Sequence, residues 1–184
     1  MFSKIDILNA MSTGDLVIHP FDRKMLLPNS LIVRLDDEIA VAKKGKVDLN
    51  HSKDYDKFFK NKKLKQKEVF VLKPQQFILA RTLESFALSK NVSALVHGKS
   101  TLARLGLAVT QTAPVIQAGH GVPYMRKIVL EINNNGPMDI VMRPGMLIGQ
   151  LIFFRLDTPT DILYDSIGKY GKRKEKDALT PLKE

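Results

Sequence analysis

Three stretches of this 184-residue chain combine residue types that can act on a charged substrate. In GKSTLARLGL (98–107), Lys99, Ser100, Thr101 and Arg104 follow an apolar run, where a turn opens into a short helix. Backbone N–H groups, two hydroxyls and two cations gathered there make a phosphate cradle. It is not a P-loop, because the glycine required five residues before Gly98 is replaced by Ser93. In KIVLEINNNGP (127–137), Glu131 is the lone carboxylate between Ile128 and Ile132. Period-two geometry puts it on the face opposite Leu130 and Ile132 and alongside Val129. Such a residue is either an edge-strand glutamate facing water or a general acid–base group in a partly dry pocket. The third stretch, RPGMLIGQLIFFRL (143–156), turns at Pro144–Gly145 and continues as an apolar strand suited to the core and to an oligomer contact.

The elements that must carry these residues are mostly strands. Residues 1–14 read as one short helix ended by Gly14, and LVIHPF (16–21), SLIVRL (30–35), EVFVLKP (68–74), 75–88 and NVSALVHG (91–98) as strands. KSTLARLGLAV (99–109) has helical spacing, with Leu102, Leu105 and Val109 on one side. APVIQAG, KIVLEINNNGP, DIVMRPGM and IGQLIFFRL complete a series of short strands punctuated by Gly and Pro. Many short strands without a long amphipathic helix predict an all-β barrel or jelly roll rather than a βαβ fold.

Composition removes several chemistries. Cysteine is absent, so thiol nucleophiles, disulfides and the cysteine-ligated zinc of the nucleobase deaminases are excluded. His19, His51, His97 and His120 lack the i, i+4 spacing of a helical zinc site. The chain has no apolar run long enough to span a bilayer and no signal-peptide pattern at its start, which predicts a cytoplasmic protein without a membrane partner. The net charge of +10 is concentrated in 43–67, with ten lysines, and in 169–176, with five Lys or Arg. Both read as solvated segments, the first a surface loop; few aromatics interleave with the lysines, so nucleic acid is not the expected partner.

Taken in order, these stretches together with PNSLIVRL (28–35), VLKPQQFILARTLE (71–84) and GKY (168–170) resemble the dCTP deaminase branch of the dUTPase-like superfamily. The resemblance implies a distorted β-barrel or jelly roll over residues 1–160, and a basic tail, 161–184, that closes over the nucleotide. It implies a homotrimer with active sites shared between subunits and hydrolysis of dCTP to dUTP and ammonia without zinc. Glu131 matches the residue that takes a proton from water, Ser100 the serine that holds that water, and Arg104 the arginine that orients both. Lys99 and Thr101 match phosphate contacts, and Ala113 a residue whose backbone meets the base. Tyr164 and Lys169 match late residues over the triphosphate, with Mg²⁺ bridging its phosphates.

The chain departs from the family's pattern at several points. Gln117-Ala118-Gly119 replaces Asp-Pro-Gly, which argues against phosphate cleavage, since an amide cannot take a proton from water. A histidine and an arginine common after the helix are replaced by Thr110 or Gln111 and by Val115, and the connection from Gly119 to Ile128 is long. These changes keep three alternatives open: a nucleotide-binding or regulatory protein without turnover, a deaminase of another cytosine deoxynucleotide, and a dUTP pyrophosphatase.

Overall fold

A computed structural model describes residues 1–48, 55–168 and 179. The chain opens with α1 (Lys4–Ser12), where Ser3 and Asp6 form a reciprocal capping box: Ser3 Oγ accepts from the Asp6 N–H and the Asp6 carboxylate accepts from the Ser3 N–H. The strands follow as β1 (Leu16–His19), β2 (Leu31–Ala42), β3 (Phe59–Lys63), β4 (Phe70–Leu72), β5 (Phe77–Leu88) and β6 (Val92–Gly98). After the single helical turn α2 (Ser100–Ala103) come β7 (Leu107–Ala108), β8 (Val115–Ile116), β9 (Arg126–Asn134), β10 (Ile140–Met142) and β11 (Leu147–Arg155). A second turn of helix, α3 (Tyr164–Ile167), follows.

The main sheet runs β7-β9-β5-β2-β11-β6-β8, with β1 added to β5 and β3 to β2, while β4 and β10 form a separate pair. All the registered pairs are antiparallel. Bulges between Leu35 and Ile39 in β2 and between Arg81 and Ser85 in β5 bend the long strands and curl the sheet into a half-barrel. Leu31, Val33, Leu35, Ile78, Phe86, Leu130, Ile132, Leu151 and Phe153 belong to its buried hydrophobic core. The expected all-β architecture is present.

At the bulges the sheet buries charge. Arg81 donates to Asp36 and to Glu38, and Lys127 Nζ lies 2.7 Å from the same Asp36 oxygen. One turn of the ladder away, Glu84 accepts from the Arg34 N–H and from its Nε. Every carboxylate here has a cationic partner, the condition under which buried charge is tolerated.

Two sequence expectations are corrected. The helix expected over 99–109 is only one turn, because Gly106 turns at φ +87° and Leu107–Ala108 then join β9. Gly106 passes so close to Gly136 that a Cβ there would lie 2.3 Å from the Gly136 nitrogen. The described part of the lysine-rich loop, 43–67, contains β3, which pairs Phe59–Lys63 with Glu38–Ala42. Its sequence shows no apolar alternation because β3 is an exposed edge strand, where lysines oppose further strand pairing. Among the described residues, no helix is long and apolar enough to cross a membrane.

Candidate active site

Strand β9 buries Ile128, Leu130, Ile132 and Asn134 and turns Val129, Glu131 and Asn133 to the other face, as the period-two pattern predicts. Glu131 is half-buried and faces Leu79 of β5 in the ladder. Its register is fixed at the strand's end by Asn134, a fully buried amide. Asn134 Nδ2 donates to the carbonyls of Leu72 and Met138, and its Oδ1 accepts from the Gly136 N–H. The other side of Glu131 meets the segment that leaves β7. The Glu131 N–H donates to Val109 O at 3.2 Å, and the carboxylate Oε2 accepts from the Gln111 N–H at 3.1 Å. The Gln111 side-chain amide donates in turn to the Glu131 carbonyl at 3.4 Å.

The cation–hydroxyl turn is held from behind. Gln150 of β11 donates to Gly98 O at 3.2 Å, and its own carbonyl accepts from the buried Ser30 hydroxyl at 3.0 Å. This leaves the chain at Lys99 in a set direction. Lys99 is half-buried, while Ser100, Thr101 and Arg104 are exposed. None of these four side chains bonds to a described residue. Within one chain, therefore, Ser100 and Arg104 make no hydrogen bond or ion pair with Glu131, and the carboxylate is engaged by Gln111 instead. Ala113 is exposed two residues beyond Gln111, in a loop tied to β6 by the Val96 N–H to Pro114 O bond.

Beyond β11 the chain returns to the turn before β9. The Tyr164 N–H donates to Ala118 O at 3.0 Å, and Arg126 and Asp165 form an ion pair at 3.1 Å with both side chains nearly buried. Gly119, at φ +84°, lies against Leu163, where a Cβ would come within 2.6 Å of the Leu163 backbone. Tyr164 thus opens α3 against the 118–119 turn, half-buried, and Lys169 lies outside the described residues. Two features are new relative to the sequence reading. Gln111 acts through its backbone N–H, which no side-chain pattern signals, and Arg126 and Asp165 are 39 residues apart.

The curled antiparallel half-barrel carries a half-buried carboxylate on one strand and an exposed cation–hydroxyl turn after another, and its fold is shared with a solved nucleotide deaminase. A model of the family described as dCTP deaminase-like matches residues 1–156. The chain is 35% identical over 174 residues to a protein of Corynebacterium glutamicum named "dCTP deaminase, dUMP-forming", covering 94% of this chain and 89% of that one. A Nocardioides protein of the same name is also 35% identical, with 94% and 88% covered. The solved structure of 2'-deoxycytidine 5'-triphosphate deaminase from Agrobacterium tumefaciens superposes with a TM-score of 0.63 at 24% identity, over 84% of this chain and 47% of that one. This chain belongs to the dCTP deaminase-like family of enzymes.

The relatives' names give dUMP as the product, where the sequence reading expects dUTP. That expectation took Gln117 as decisive for the triphosphate. One amide at one position leaves open how the rest of a site handles the phosphates.

Proposed function

We propose that this enzyme converts dCTP to dUMP, with two waters consumed and ammonia and diphosphate released. The observation that carries the reading is Glu131: a half-buried carboxylate in an apolar strand, inside the family-matched range, with one oxygen tied down by a backbone N–H. Cytosine C4 is a weak electrophile, so hydroxide has to be generated beside it and the ring protonated as attack proceeds. Glu131 takes a proton from water as the oxygen adds to C4, and passes that proton to N3. It then carries the proton of the new hydroxyl to the amine as the C4–N4 bond breaks, so ammonia leaves and the C4 carbonyl forms.

Ser100 holds the attacking water and Arg104 orients the water and the carboxylate. Neither makes a hydrogen bond or ion pair with Glu131 within one chain, and both are supplied by a neighbouring copy in a homotrimer with shared sites. Lys99 and Thr101 bind phosphate, the Ala113 backbone meets the base, and Tyr164 and Lys169 lie over the triphosphate. Residues 1–160 form the catalytic domain and 161–184 the tail that closes it. Among the described residues, no three or more His, Asp or Glu gather to hold a metal ion. Mg²⁺ arrives as part of the substrate, held by phosphate oxygens and water. The setting is the cytoplasm.

The test is to incubate the purified protein with Mg²⁺ and dCTP and measure ammonia, diphosphate and the nucleotide product together. Equal release of ammonia and diphosphate with dUMP supports the reading. Binding of dCTP without ammonia release overturns deamination, and accumulation of dUTP overturns the assigned product.

A further inference from the structure

In a β-strand the N–H and C=O of one residue point to the same edge. At Glu131 that edge is where β9 runs short of a neighbour, because β7 ends at Ala108, opposite Asn133. The Glu131 N–H is taken by Val109 O, and its C=O would be left without a ladder partner. The Gln111 side chain fills that place: its amide Nε2 donates to the Glu131 carbonyl at 3.4 Å, as a strand N–H would. From the same residue the backbone N–H donates to carboxylate Oε2 at 3.1 Å. Gln111 therefore grips Glu131 at both ends, main chain and carboxylate, while Oε1 bonds to no described residue.

Resting on the proposed deamination, we infer that Gln111 is the positioning residue of the general base, holding Oε2 so that Oε1 is presented to the attacking water. A carboxylate fixed by one oxygen keeps a single orientation toward C4. One released at its carbonyl can tilt with its strand edge, which separates it from the water before any substrate contact is lost. The effect falls on turnover, and substrate affinity is spared.

The experiment compares ammonia release from Mg²⁺–dCTP by the full chain, Gln111→Met and Gln111→His. Methionine keeps the length and the backbone N–H but has no donor, whereas histidine keeps a ring N–H at the same number of bonds from the backbone. Gln111 is exposed, so neither change disturbs packing, and thermal melting confirms the fold. Gln111→Met is expected to lower kcat about tenfold with KM within about twofold of the parent, and Gln111→His to recover most of the loss. An unchanged kcat in Gln111→Met, or a raised KM with kcat unchanged, overturns the inference while leaving deamination intact. Equal loss in both variants also overturns it, since the donor would then not matter. Absence of ammonia release by the parent chain instead defeats the proposed function on which the inference stands.

Discussion

Arg126 and Asp165 meet at 3.1 Å with side-chain exposures of 7% and 12%, joining the first residue of the strand that carries Glu131 to the helical turn beyond β11. The pair is nearly sealed from water, so replacing Asp165 by Ala takes a counter-charge from a nearly buried guanidinium. The remaining exposure at Asp165 and the further interactions that Arg126 keeps place the cost below that of an uncompensated buried charge, at about 2 kcal/mol. Asp165→Ala is expected to lower the urea midpoint accordingly and to speed proteolytic cleavage after residue 156. A wild-type midpoint in that variant would show that the pair stabilises nothing.

Replacing Glu131 by Gln keeps the side chain's shape and the acceptor for the Gln111 N–H, but removes the proton-accepting group. Deamination is expected to fall by about three orders of magnitude, while dCTP binding measured by calorimetry stays close to that of the parent. A variant that retains a tenth or more of the parent rate would assign the proton transfer to another group.

Strand β9 shows how much of the site the sequence makes legible. Its alternation places Glu131 on the correct face, because side-chain direction along a strand follows from the period alone. The 99–109 segment shows the opposite case. Leu102, Leu105 and Val109 have helical spacing, yet Leu105 is 41% exposed and Val109 is buried in a bend just past β7. The close pass of Gly106 and Gly136 decides that path, and a contact between residues 30 apart has no local signature. The hold on Glu131 is hidden for a further reason. It comes from a backbone N–H, which every residue but proline carries, so residue type says nothing about it.

Asp15 carries a pH dependence with a definite sign. The Asn91 amide and the Ser89 hydroxyl, helped by Arg155, hold its carboxyl below the ordinary value of 3.8 against the opposing effect of burial. The folded value is the lower one, so its contribution is complete above about pH 5 and is lost as pH falls through the depressed folded value. Asp15→Asn is expected to be less stable than the parent near neutrality and to converge on it in the acid range, in urea unfolding followed from pH 7 down to about pH 2.5. A gap between the two proteins that stays constant over that range would separate the hydrogen bonds from the charge.

Glu131 makes no hydrogen bond or ion pair with Ser100 or Arg104 within one chain, and complementation is the sharpest test of a shared site. If each site takes its carboxylate from one copy and its serine and arginine from the next, Glu131→Gln and Arg104→Ala chains are each inactive alone but can rebuild sites together. In trimers reassembled from equal amounts, a site is complete when one copy supplies Glu131 and its neighbour supplies Arg104. Each has a chance of one half, so about a quarter of sites recover. Ammonia release from dCTP by the mixed trimers should therefore reach about a quarter of the parent rate, with the two variants mixed but not reassembled as the blank. Activity that stays at the level of the separate variants after reassembly would place all three residues in the same subunit's site, with water bridging groups that make no direct hydrogen bond within one chain.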